Sequence, residues 1–161
     1  MRQILVTGGA GFIGSHFVHF VLEQDRDCRV VVLDRLTYAG NLERLADVLD
    51  TPRCEFRQGD VADPEAVAAA LPGCEAVVNF AAETHVDRSL LAPQECLHTN
   101  AGGTLTLLEA CRERGISRFL QVSTDEVYGS VESGVVTEDA PLRPGNPYSA
   151  CKAAGDLLVL A

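Results

Sequence analysis

Ile4-Leu5-Val6-Thr7-Gly8-Gly9-Ala10-Gly11-Phe12-Ile13-Gly14-Ser15 reads as a short buried strand, a tight turn and the opening of a helix. The glycines at 8, 11 and 14 fall at G-x-x-G-x-x-G spacing directly after the apolar run. A turn this tight needs residues without Cβ, so that backbone N–H groups can approach a pyrophosphate at the positive end of a helix and the helix can pack close to its strand. Gly8, Gly11, Phe12, Ile13 and Gly14 are therefore candidate dinucleotide contacts. A bare glycine pattern fits a flexible turn equally well; the flanking strand, helix and a downstream acid favour the phosphate reading.

That acid is Asp34, 20 residues past Gly14 at the end of the apolar run Val30 to Leu33. A carboxylate there accepts hydrogen bonds from the adenosine ribose, which favours NAD, whereas Arg35 beside it leaves room for the 2′-phosphate of NADP. Further short apolar runs follow: Arg53 to Arg57 (weaker), Ala76 to Phe80 and Phe119 to Val122. Helical patterns lie between them. Ile13, Phe17, Phe20 and Val21 form one apolar stripe expected to face a sheet. Leu97, Ala101, Thr104, Leu105, Leu108 and Cys111 form another, with Pro93 near its start and Gly115 beyond its end. Asp63 and Pro64 are an N-cap and first-turn pair for a helix through Leu71. Strands alternating with helices predict an α/β fold, a doubly wound parallel sheet covered on both faces, as in a Rossmann-like NAD-binding domain. Gly59, Asp60 and Val61 end the third strand on the same edge; Asp60 suits an adenine amino group or a plain surface turn.

The chain has 161 residues, 47% hydrophobic, with 13 Lys plus Arg against 23 Asp plus Glu, a formal charge of −10. This is one ordinary domain, residues 1–161, long enough to bury a core without staples. The acidic balance argues against nucleic-acid binding and attachment to anionic lipid, and no apolar run approaches the roughly 18 residues of a membrane span. With no visible secretory signal, the six scattered cysteines read as reduced, mostly buried thiols of a cytoplasmic protein. His16 and His19 share a helix face without a third ligand nearby, so no metal is expected. Ser130 to Pro147, rich in Gly, Pro and acidic residues, is the one extended loop expected, on the substrate side.

Ser123-Thr124-Asp125-Glu126 follows the fifth strand, and Tyr148 and Lys152 stand at Y-x-x-x-K spacing, one face of a helix. The Lys152 ammonium and a nicotinamide ring are expected to lower the phenol pKa from about 10 toward neutrality and make Tyr148 a usable base. Two solvated acids on a loop are the plain alternative for Asp125 and Glu126.

TGGAGFIGS, DRLTYAGN, NFAAETHVDRS, STDEVYGS and PYSACKA together resemble the extended short-chain dehydrogenase/reductases, and among them the nucleotide-diphosphate-glucose 4,6-dehydratases, typified by the dTDP-glucose enzyme. The acid pair Asp125–Glu126 is the more discriminating part of the likeness, since related epimerases usually need no such pair. The resemblance implies a hydro-lyase that oxidises C4 of a nucleotide-diphosphate hexose, eliminates water across C5 and C6 and returns the hydride to C6. A C4 ketone is what makes the C5 proton acidic. It further implies Tyr148 as base for the C4 hydroxyl, Thr124 as its hydrogen-bond partner and Lys152 on the nicotinamide ribose. Glu126 would take the C5 proton and protonated Asp125 would give one to the departing C6 hydroxyl. Burial and like-charge repulsion are expected to keep Asp125 protonated. Ala81, Ala82 and Thr84 would lie along NAD, Asn100 near it, and Thr84, His85 and Arg88 toward the substrate, where packing or a solvated loop are equal readings.

Members of this family are roughly twice as long, so the chain is expected to be truncated before the substrate domain, with an apolar edge exposed. The helices from about Pro93 to Arg114 and from Tyr148 onward resemble those that pair two subunits in this family, and the resemblance implies a homodimer. A nucleotide-sugar epimerase of the same family and a non-catalytic NAD-binding fragment are the rival readings.

Overall fold

The computed structural model describes residues 2–161. Five parallel strands, β1 (Arg2–Thr7), β2 (Cys28–Asp34), β3 (Cys54–Gln58), β4 (Ala76–Asn79) and β5 (Arg118–Gln121), lie in the order β3-β2-β1-β4-β5. Each expected strand is present to within two residues at either end.

Period-two alternation explains why the sheet is covered on both sides. Leu5 pairs with Val31 and Val77, and these three, with Leu33, point to one face. Val6 pairs with Val32 and Val78, which with Val30 point to the other. Val67, Ala70 and Leu71 of α3 (Pro64–Ala70) and its C-terminal end cover the first face together with Leu107 and Cys111 of α6 (Gly103–Arg114). Val18 and Leu22 of α1 (Phe12–Gln24) and Leu45 of the 3-10 turn Leu42–Leu45 cover the second, and two short helices, α2 (Ala46–Leu49) and α4 (Val86–Leu91), follow that turn and β4. Each of these Val and Leu side chains contributes about 1.5–3 kcal/mol by leaving water. That is the physical content of the doubly wound α/β architecture.

Local signals set the helix ends where expected. The Asp63 side chain accepts from the Glu65 N–H with Pro64 behind it, and Gly115 closes α6 in the left-handed conformation, φ 69°. All six cysteines are free and buried. Among the described residues no helix is long and apolar enough to cross a membrane.

Two expected apolar stripes are corrected. In α1 the buried face is Gly14, Ser15, Val18 and Leu22, while Ile13 and Phe20 are exposed and Phe17 and Val21 half-buried. The cause is Gly14: a Cβ there would sit 2.3 Å from the Gly8 carbonyl oxygen, so this glycine faces the turn. Ile13, one residue or about 100° round the helix, is then swung outward. In the second stripe Leu97 and Leu105 are exposed, and Asn100, Ala101, Thr104, Leu107 and Cys111 are buried. Here Leu97–Gly102 forms a π-helical segment joining the short α5 (Pro93–Cys96) to α6. Its i→i+5 bonding puts Leu97 out of phase with the 3.6-residue repeat that follows, whereas Leu105 lies on α6 itself, beside the buried face of Thr104 and Leu107.

The chain runs outward from β1 to β3 and then returns to β4 on the other side of β1. Loops after β1 and β4 therefore diverge in opposite directions and leave a crevice at the carboxyl edge, the usual place for a ligand in such sheets.

Candidate functional site

A cavity of about 390 Å³ occupies that crevice. Gly8, Gly11, Phe12, Ile13 and Gly14 line it from the turn after β1, and Asp34 and Arg35 from the end of β2. Asp60 and Val61 follow β3, Ala81, Ala82 and Thr84 follow β4, and Tyr148 and Lys152 project from α7 (Pro147–Leu160).

The glycine turn is shaped by close approach. Gly8 has φ 67°, and a Cβ on it would meet the Ala81 nitrogen at 2.6 Å. With the turn pressed against both β4 and the start of α1, the backbone near the α1 N-terminus remains open to an anion. Asp34 holds the turn from the side: its Oδ2 accepts the Ala10 N–H at 3.0 Å and its Oδ1 the Leu36 N–H at 2.8 Å. The Ala10 carbonyl in turn accepts from the Asn41 N–H at 2.9 Å and the Arg44 guanidinium at 3.0 Å. This cradle, the apolar walls Phe12 and Ile13 and the carboxylate at its rim fit a dinucleotide.

Asp60 lines the cavity, but one of its oxygens is shared by Arg35 and His98 and the other accepts the Ala62 N–H. Burial alone would raise its carboxyl; the Ala62 N–H, Arg35 and His98 outweigh that and hold it below the usual value.

At the other end, α7 starts with a capping box. Asn146 Oδ1 accepts the Ser149 N–H at 2.8 Å, and the Asn146 N–H donates to Ser149 Oγ at 3.2 Å. Ser89 Oγ accepts the Tyr148 N–H at 3.1 Å, another first-turn donor satisfied. Tyr148 and Lys152 are thereby held on a firmly anchored turn, both buried. Lys152 Nζ donates to the Val122 carbonyl at the end of β5. Burial lowers its pKa, opposed by Asp156.

For Tyr148 the chain's own groups on balance favour the neutral phenol. Burial pushes the phenol up from its ordinary value; the Thr124 side chain works against that rise, while Glu126, Cys96 and Asp125 add to it. The Lys152 ammonium donates to the Val122 carbonyl. The buried polar lysine satisfies the backbone first.

Thr124 caps a 3-10 turn, Asp125–Tyr128, accepting the Glu126 N–H at 3.3 Å. Glu126 Oε2 accepts from Asn146 Nδ2 at 3.1 Å. Thr124, Asp125 and Glu126 stand beside the cavity rather than among its lining residues. Thr124 and Glu126 are half-buried, but Asp125 is exposed, so the burial expected to keep it protonated is not supplied by these residues. His85 and Arg88 line a smaller neighbouring cavity of about 280 Å³ with Arg35, Thr37 and Glu83. There the Arg88 guanidinium lies 4.0 Å from the centre of the Tyr38 ring, which also stacks near His85.

Asn100, expected near a cofactor, is buried and structural: its Oδ1 accepts the Glu83 N–H at 2.8 Å and its Nδ2 donates to the Glu83 carbonyl at 3.0 Å. His16 and His19 bond to the carbonyls of Phe12 and Arg44, both at 2.8 Å. Among the described residues no three His, Cys, Asp or Glu side chains form a metal cluster. Sequence reasoning missed the polar core beneath the cavity. Thr7 Oγ1 donates to Asn79 Oδ1, and Asn79 Nδ2 donates to Gln121 Oε1 at 2.8 Å, tying β1, β4 and β5 together. It also missed Asn146, although Asn before Pro-Tyr-Ser is a legible N-cap signal.

The model of the GDP-mannose 4,6 dehydratase family matches residues 5–161. The chain belongs to this family. Within the family neighbourhood, the dTDP-glucose 4,6-dehydratase of Streptomyces griseus is 54% identical over 161 residues, covering 99% of this chain and 49% of that protein. The crystal structure of dTDP-glucose 4,6-dehydratase from Streptomyces venezuelae, with NAD and TYD bound, superposes with a TM-score of 0.93 at 50% identity, over 98% of this chain and 50% of that one. The UDP-Glc/GlcNAc 4-epimerase of Campylobacter jejuni superposes with a TM-score of 0.91 at 33% identity, over 99% of this chain and 48% of that one. This member of the GDP-mannose 4,6 dehydratase family thus spans about half the length of the curated relatives it matches.

Proposed function

We propose that the cavity binds NAD and that the chain forms the cofactor-binding half of a cytoplasmic nucleotide-sugar 4,6-dehydratase, converting dTDP-glucose to its 4-keto-6-deoxy product. The observation that carries the reading is the bond from Asn146, the cap of α7, to Glu126. It brings the Thr124–Glu126 turn to the helix that presents Tyr148 and Lys152. The greater identity to dehydratases than to the epimerase supports a dehydratase over the rival reading.

NAD, when bound, supplies a reversible hydride acceptor. Gly8, Gly11 and Gly14 would admit its pyrophosphate to the α1 N-terminus, and Asp34 would take the adenosine ribose. Tyr148 would receive the C4 hydroxyl proton of the hexose, with Thr124 bonded to the same oxygen. Because burial favours the neutral phenol, this role would be helped by positive charge near the phenol oxygen, which bound NAD would supply. Glu126, held by Asn146, would remove the C5 proton. Asp125 would donate to the leaving C6 hydroxyl once a seated hexose covers it from water. Exposed Leu97, Leu105 and Leu157 on the helices before β5 and on α7 would pair two subunits.

The test is Glu126→Gln in the full-length enzyme. NAD binding is expected to persist while exchange of the C5 hydrogen with solvent deuterium stops. Continued exchange would remove Glu126 from the base role, and failure of the unaltered full-length enzyme to form a 4-keto-6-deoxy sugar would overturn the dehydratase reading.

A further inference from the structure

Two cations line the main cavity, Lys152 near the end of β5 and Arg35 beside Asp34 at the end of β2. Arg35 is engaged on both arms of its guanidinium. Nη1 donates to Asp60 Oδ2 at 2.8 Å, and Nη2 lies 3.7 Å from Glu95 Oε2 of α5. Asp60 is itself fixed by the Ala62 N–H at 2.9 Å and by His98 Nε2 at 3.2 Å. The Arg35 carbonyl is tied to Gln58 Nε2 at 3.5 Å. Both carboxylate partners come from distant parts of the chain, the loop after β3 and the helix before the π segment, so the pairing is a product of the tertiary fold.

An arginine in this neighbourhood is the group that accommodates a 2′-phosphate in NADP-binding relatives of the fold, through a planar fork matched to phosphate oxygens. We propose that Asp60 and Glu95 set the choice of NAD over NADP by holding the Arg35 guanidinium in ion pairs, leaving a 2′-phosphate to face Asp34 without a free counter-charge. The proposal rests on the reading that this cavity binds NAD. Asp34 repels the phosphate, and the restrained Arg35 cannot offset that repulsion without giving up two carboxylates. Exposed ion pairs taken singly are weak. Here two carboxylates share one cation, and one of the two is anchored by the backbone.

The experiment measures NAD and NADP binding by calorimetry for the unaltered protein, for Asp60→Asn with Glu95→Gln, and for that pair combined with Arg35→Ala. Asn at position 60 can still accept the Ala62 N–H, so the turn is preserved. The paired substitution is expected to improve NADP relative to NAD by about tenfold, equivalent to about 1.4 kcal/mol. Adding Arg35→Ala is expected to abolish the gain. An equal gain without Arg35 would overturn the proposal, since removal of negative charge alone would then explain it; an unmoved ratio in the paired variant would overturn it too. Glu95→Gln alone, on an exposed side chain, gives a second route, with an expected gain of about twofold that again requires Arg35. Binding of neither nucleotide by the unaltered protein would overturn the NAD reading and the proposal together, whereas tight NAD binding with a fixed ratio would overturn the proposal alone.

Discussion

Asn146 Nδ2 donates to Glu126 Oε2 at 3.1 Å while its Oδ1 accepts the Ser149 N–H at 2.8 Å. One amide therefore closes the first turn of α7 and orients the carboxylate across from it. Asn146→Ala is expected to cost about 1 kcal/mol of stability in urea unfolding, the usual loss of a good N-cap. Asn146→Asp keeps an acceptor for the cap but sets a carboxylate against Glu126. Its stability should recover only in part, because the side-chain donor to Glu126 is lost while the cap acceptor is kept. Full recovery at pH 7 would show that the Glu126 contact carries no energy.

Gly14→Ala places a methyl 2.3 Å from the Gly8 carbonyl oxygen and 2.9 Å from Gly9 Cα, both backbone atoms that cannot swing aside. Overpacking of this kind costs about 1–3 kcal/mol. The expected result is a lower melting temperature together with loss of NAD binding in calorimetry, because the same displacement lifts α1 from the turn. Unchanged affinity would mean that the close approach of helix and turn is not needed for the ligand.

Thr7→Val keeps the side-chain shape on β1 but leaves Asn79 Oδ1 without its donor inside the core. A buried acceptor left unpaired costs about 1–3 kcal/mol. Urea unfolding should show a loss in that range with an unaltered slope. A loss under about 0.5 kcal/mol would mean that Asn79 finds another partner.

Much of this was legible in the chain itself. Short apolar runs set the parallel strands because each is buried on two faces, and Asp63-Pro64 and Gly115 placed helix ends because their chemistry is local. The glycine turn carried its context with it. What escaped prediction depended on contacts between distant residues. The face of α1 followed from Gly14 pressing on Gly8, and the π-helical turn at Leu97–Gly102 dephased a repeat that reads as regular helix. Asp125 looked fit for burial beside Glu126 yet lies on the exposed side of its 3-10 turn, and no spacing rule foretells that the Lys152 ammonium bonds to a carbonyl 30 positions earlier.

The thiols set an alkaline limit. Burial pushes Cys54 and Cys111 up to about 11 and Cys96 to about 12, whereas an unfolded thiol ionises near about 8.5. In the window between, the unfolded chain has lost protons that the folded chain retains, so stability falls as pH rises from about 9 toward about 11. Unfolding free energies measured across that window should decline. At pH 8 Ellman's reagent should label the six thiols only as fast as the protein opens, and rapid labelling of the folded protein would contradict their burial.

Asp34 does two jobs with one carboxylate, because the N–H groups of Ala10 and Leu36 already lean on the oxygens offered to a ribose. Protein engineers commonly retune nicotinamide coenzyme preference by neutralising the acid at this strand end. In this scaffold that shortcut would slacken the very loop that receives the diphosphate, so redesign would start more safely from neighbouring positions whose side chains leave the loop's backbone alone.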